Sequence, residues 1–207
     1  MKRLKQALLL TASLLFLAAT VVLPVYPAGP AGTPATRPDR TVAVSEVEAR
    51  AYWERLLSDS QKAVRGDPSQ DDDPQDLFWL AVAAANLGRL DESTDSFREL
   101  QKADPERKVV HKLVADCRAV LSQDPDNLQA LNGLAFVAYA NEDFAQAASY
   151  FQQLVRIEPS NPWTRNYLGF SLGKSGRLDE AISVLEEGRR RFPDNEFTHF
   201  LLGLAYY

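Results

Sequence analysis

The strongest constraint on how this chain can fold is a spacing. Pro125, Pro159 and Pro193 stand at one even interval, and the small and apolar residues between them recur at the same offsets. Leu134 coincides with Leu168, Ala135 with Gly169, Ala147 with Ala181 and Phe151 with Leu185. A looser copy upstream places Leu80, Ala81, Ser93, Phe97 and Pro105 at those offsets. A chain that rewrites one pattern at a fixed interval stacks copies of a unit that cannot bury its apolar face alone.

Each copy reads as two helices of about 12 to 16 residues with short breaks, and no stretch has strand periodicity, so the fold class is all-α. Pro68, Pro105, Pro125, Pro159 and Pro193 mark the breaks. Proline lacks an N–H and clashes with the preceding turn, which ends a helix. Small residues (Ala135, Gly169, Ala147, Ala181) let two helices approach, and large ones (Leu134, Leu168, Phe151, Leu185) fill the space beside them.

These residues resemble the tetratricopeptide repeat, a helix-turn-helix whose period equals the proline interval and whose pattern is W-x2-L-G-x2-Y, A-x3-F, P. Leu168-Gly169, Ala181 and Pro193 fit directly. Leu131 and Arg165 stand in the tryptophan place, and Ala138 and Leu172 in that of the tyrosine. "GRLDES" from Gly88 and "GRLDEA" from Gly176 are typical turns of the family. The resemblance implies tandem repeats stacked as a right-handed α-solenoid, at about 74–107, 128–161 and 162–195, with a partial copy at 196–207. Extra helices are predicted at 45–65 and 106–123. The second interrupts the alternation, because the interval from Pro105 to Pro125 has room for one helix only.

The N-terminus is of another kind. Ala7 to Leu23 is an uncharged apolar run preceded by Lys2, Arg3 and Lys5, which is an export signature. Its length reaches the low end of a membrane span, and small residues are poorly placed for cleavage. Residues 1–26 therefore read as a signal-anchor, with a cleaved signal peptide as the alternative. The preceding basic residues would stay in the cytoplasm and send the rest across. The expected location is membrane-anchored with the repeats extracytoplasmic, or secreted or periplasmic after cleavage. Residues 27–44 form a linker rich in Pro, Gly and Ala.

Removing those three basic residues takes the formal net charge from −5 to −8, which disfavours nucleic acid as a partner. The single cysteine, Cys117, allows no intrachain disulfide and reads as a small buried side chain. His111 and His199, the only histidines, have no neighbours at metal-ligand spacing. The carboxylates sit at helix starts and turns, where capping explains them. "GRRRF" at 188–192 suits a helix C-terminus and its dipole. No phosphate loop or nucleophile elbow is present. No enzyme, metal or cofactor is expected.

The first helix of each copy carries a second stripe. In 128–140, Leu131, Leu134, Ala135 and Ala138 face the partner helix, while Gln129, Asn132, Phe136 and Tyr139 lie opposite. The next copy repeats this with Trp163, Asn166 and Phe170, and the partial copy with Phe197, Phe200 and Leu204. Phe78 and Val82 take the same places upstream. In the tetratricopeptide family this stripe lines a concave groove that binds peptides or helices, and Asn132 and Asn166 fall where an amide often holds a ligand's backbone. The same residues equally suit packing against the neighbouring repeat. The stripe carries few cations (Lys174 and, at its border, Arg165), so it differs from the family's clamp for a C-terminal carboxylate. An apolar, aromatic-anchored protein segment fits better.

The N-terminal run and the resemblance together imply a membrane-tethered scaffold that binds another protein, similar to bacterial adaptors of envelope assembly or secretion. The rival is self-association through the helix at 196–207, which restarts the pattern without a polar outer face. Either the chain is a fragment, or that face is covered by another protein or a second copy.

Overall fold

The computed structural model describes residues 46–64 and 73–207. The apolar run and linker of the N-terminus lie outside the described residues. The elements are α1 (Glu46–Val64), α2 (Pro74–Asn86), α3 (Leu90–Ala103), α4 (Lys108–Gln123), α5 (Leu128–Ala140), α6 (Phe144–Ile157), α7 (Pro162–Lys174), α8 (Leu178–Arg191) and α9 (Glu196–Tyr206), with no strand among the described residues. None of these helices is long and apolar enough to cross a membrane.

The starts of the helices follow from their caps. Asn127, Asn161 and Asn195, spaced as evenly as the prolines, each cap a first helix. Their side-chain oxygens accept from Ala130 N (3.0 Å), Trp163 N (2.9 Å) and Thr198 N (3.0 Å). Asp73 does the same for α2, accepting from Gln75 N at 2.8 Å. Between the two helices of a pair the chain turns through a left-handed residue: Gly88 (φ 73°), Glu142 (φ 58°) and Gly176 (φ 83°).

The pairs α2–α3, α5–α6 and α7–α8 pack closely, and α6 and α8 also pack on the first helix that follows them. Gly169 shows why a small residue is required. A Cβ there would lie 2.5 Å from Leu185 Cγ, so the two helix axes approach only because it is absent. First helices are enclosed on most sides: every residue of α5 from Ala130 to Ala140 is buried. Second helices such as α3, α6 and α8 bury one stripe and expose the other.

The single helix α4 packs on α5 much as α6 packs on α7, so it stands where a second helix would stand. The pair α2–α3 is thereby displaced from the regular stack. The α3–α4 turn bends at Arg107 (φ 57°). Asp104 Oδ2 caps α4 across it, accepting from Val109 N at 3.0 Å and Val110 N at 3.1 Å. Asp104→Ala is expected to lower the unfolding free energy by about 1–2 kcal/mol, measurable by urea denaturation.

Candidate interaction face

The aromatic stripe forms a ladder along the first helices. Phe136 lies 6.3 Å from Phe97, 5.4 Å from Phe151 and 4.9 Å from Tyr167, centroid to centroid. Tyr139 meets Tyr167 at 5.4 Å and Phe170 at 5.6 Å. Phe78 packs edge-on against Phe97 at 6.1 Å. The contacts of Phe136 with Phe97 and Tyr167 and of Tyr139 with Tyr167 and Phe170 join successive repeats, while those of Phe78 with Phe97 and of Phe136 with Phe151 lie within one. Together they enclose Phe78 and Phe136 (each 2% exposed) and Tyr139. Burial holds the Tyr139 hydroxyl well above the usual tyrosine range.

Other members of the stripe remain accessible. Trp163, Phe170, Phe197 and Phe200 are half-buried. Trp163 lies 5.8 Å from Phe197, which stacks on Phe200 at 6.0 Å, giving a continuous aromatic strip across α7 and α9. Beside it Lys174 Nζ sits 5.6 Å above the Phe144 ring, and Phe144 meets Phe170 at 5.9 Å.

The two amides of the stripe belong to a buried polar ladder. At the α7–α9 junction Asn166 Nδ2 donates to Asn195 Oδ1 (3.2 Å), and Thr198 Oγ1 donates to Asn166 Oδ1 (2.7 Å). One repeat earlier the equivalent residues are Asn132, Asn161 and Thr164, and there Asn86 stands between them. Asn86 Nδ2 donates to Asn132 Oδ1 (3.0 Å), while Asn86 Oδ1 accepts from Asn161 Nδ2 (3.2 Å) and Thr164 Oγ1 (3.4 Å). Asn161 also donates to Glu158 Oε1 (3.2 Å). That carboxylate, 2% exposed, accepts from Trp53 Nε1 at 3.1 and 3.2 Å. Its donors are uncharged, and burial pushes its carboxyl up to about 7.

Sequence reasoning missed Trp53, Asn86, Glu158, Asn161 and Thr164. The recurrence of asparagine at 127, 161 and 195 was a usable signal; nothing in the sequence joins Trp53 to a residue 105 positions away.

Among the described residues no group of three or more His, Cys, Asp or Glu could hold a metal. Burial pushes the Cys117 thiol up to about 11, which disfavours a reactive thiolate. The basic run is neutralised locally. Arg189 and Arg190 pair with Glu186 (2.7 and 3.9 Å), and Arg191 with Glu187 (3.0 Å). Arg165, buried between α7 and α8, lies 3.5 Å from Glu187.

Two family models, each described as tetratricopeptide repeat, match residues 48–107 and 138–199, together more than half of the chain. A tetratricopeptide repeat-containing protein of Pseudomonas aeruginosa is 22% identical over 134 residues, covering 64% of this chain and 22% of that protein. The peroxisomal targeting signal receptor of Candida glabrata is 34% identical over 77 residues, covering 37% of this chain and 12% of the receptor. The matched stretch thus spans about a fifth or less of these relatives' length. Among solved structures, a chain of MamA is 17% identical with a TM-score of 0.43, covering 76% of this chain and 84% of that one.

Proposed function

Because the chain belongs to the tetratricopeptide-repeat family, whose repeats act as protein–protein interaction scaffolds, we infer that it is a non-catalytic scaffold binding a segment of another protein along its first helices. The observation that carries this reading is the half-buried strip Trp163–Phe197–Phe200, with Phe170 close by. Large aromatic surfaces left partly in water and held against one another give a partner apolar area at little cost in side-chain entropy. A relative that is by name a receptor for a targeting signal supports segment binding.

Of the stripe, Phe78, Asn132, Phe136, Tyr139 and Asn166 are enclosed by the fold, and Tyr139 packs against the accessible Phe170 at 5.6 Å. Trp163→Ala with Phe200→Ala is expected to leave helicity intact and weaken partner binding by at least about tenfold. Circular dichroism and calorimetric titration of the recovered partner check this. Unchanged affinity in a folded double variant would remove the strip from the binding site.

Tethering to a membrane is supported by the uncharged run at 7–23 and the basic residues before it. Carbonate extraction of the full-length chain tests it: retention at unprocessed mass supports an anchor, and a soluble, shortened product supports a cleaved signal.

A second reading is self-association through α9. Leu204 and Tyr206 are 54% and 63% exposed. A Cβ at Gly203 would meet nothing within 4 Å, whereas the equivalent Gly169 is filled by Leu185. A monomer by sedimentation at high concentration would eliminate this reading.

A further inference from the structure

Whereas α9 packs directly on α7, α2 comes between α5 and α7 and meets both. It crosses α5 towards the start of α7. At one end the Trp79 ring edge comes within 3.1 Å of the place a Cβ on Gly133 of α5 would take. Further along, Asn86 bonds to Asn132 of α5 and to Asn161 and Thr164 at the start of α7. Beyond its end, Gly88 lies so close to Trp163 that a Cβ there would fall 2.2 Å from the indole ring. Two of these residues, Asn132 and Trp163, belong to the stripe on which the binding reading rests.

The polar ladder identifies Asn86 as an insertion. At the α7–α9 junction, where no other helix intervenes, the asparagine and threonine bond each other directly. At the α5–α7 junction the same three positions turn their polar atoms to an amide from elsewhere in the chain. A binding partner's side chain would use that rung in the same way, satisfying both its amide groups against buried donors and acceptors.

We propose that α1, α2 and α3 form a built-in occupant of the first-helix face, with α2 standing where a partner helix lies, and that the unit swings out about the turn at 104–107 to admit it. The partner segment is then helical, with an apolar face spaced as Trp79, Val82 and Ala83 are on α2 and, on that same face near its C-terminal end, an amide side chain like Asn86. This rests on the protein-binding reading and adds the class of ligand and its control.

The connections suit such a motion. A single turn joins α3 to α4, which are not among the closely packed helix pairs, while α1 and α3 both pack on α2. The outer end of the unit is held by Trp53 on Glu158. From α1, Tyr52 and Arg55 are the titratable groups on that side: burial raises the Tyr52 hydroxyl, Arg55 opposes the shift and Glu158 adds to it. Asn161 at the start of α7 is uncharged.

The sign of the pH effect follows from the raised carboxyl. The closed state binds a proton that a water-exposed Glu158 releases above about 4.5, so closure is most favoured below that value and weakens as pH rises to about 7 and beyond.

Hydrogen exchange of the full chain by mass spectrometry, corrected for intrinsic rates, tests the motion. Amides of α1–α3 are expected to exchange as one block ahead of α5–α8, with opening about tenfold more frequent at pH 8 than at pH 6. Glu158→Gln should flatten that pH dependence, and Trp53→Phe should raise opening about tenfold at both values. A labelled synthetic peptide of residues 73–89 should bind the Trp53→Phe chain more tightly than the unaltered one. One common exchange rate for both blocks in every variant would overturn the proposal. Opening without any gain in peptide binding would overturn it as well, while leaving segment binding at Trp163 and Phe200, read from its own double variant, standing.

Discussion

Truncating Phe151 to alanine is expected to lower the unfolding free energy by about 3–5 kcal/mol. The side chain is fully buried, and its ring lies 5.4 Å from Phe136, 5.5 Å from Tyr167 and 6.3 Å from Tyr139, so it joins α6 to both neighbouring first helices. A cavity there has aromatic walls that cannot easily collapse. Phe151→Leu introduces the residue that the next repeat carries at the same offset, Leu185, and should cost less than half as much. Urea denaturation followed by circular dichroism distinguishes the two. Equal losses would mean that the offsets 151 and 185 are not structurally equivalent.

Gly88→Ala should cost roughly 2–4 kcal/mol through two separable causes. Its φ of 73° is left-handed, which costs an L residue about 1–2 kcal/mol. Its Cβ would also fall 2.2 Å from Trp163, which forces either the ring or the α2–α3 turn to shift. Gly176→Ala isolates the first cause, since Gly176 has φ 83° and nothing within 4 Å of the added methyl. Glu142, left-handed at the equivalent place, shows that the conformation alone is tolerated. The excess loss at Gly88 should be accompanied by a change in tryptophan fluorescence as Trp163 moves. Equal losses at both glycines would contradict the docking of α2 on α7.

The repeat unit was legible because its determinants are local and periodic. Leu168-Gly169, Ala181 and Pro193 report a helix pair directly, since a glycine that must face Leu185 and a proline that must end a helix leave little freedom. The stripe was legible as a pattern, but its division into buried and accessible members was not. Phe136 and Phe170 occupy the same offset, yet Phe136 lies between Phe97, Phe151 and Tyr167 while Phe170 stays half-open.

The difference comes from the interval between Pro105 and Pro125. By supplying one helix instead of two, it puts α4 in the second-helix place before α5 and brings α2 against α5 and α7, with Phe97 of α3 against Phe136. Periodicity cannot show where a displaced pair lands, because the contacts of Asn86 with Asn132 and of Trp53 with Glu158 span 46 and 105 residues. Such contacts leave no mark at helical spacing.

The most direct measurement is site-specific photo-crosslinking from the first-helix face in the full-length protein. A benzophenone side chain at Phe200 is compared with one at Val120, an exposed position on α4 away from the aromatic strip. The protein-binding account predicts one discrete adduct from position 200 that position 120 does not give, identified as the same partner in repeated preparations. No adduct from position 200, or the same adducts from both positions, would contradict it.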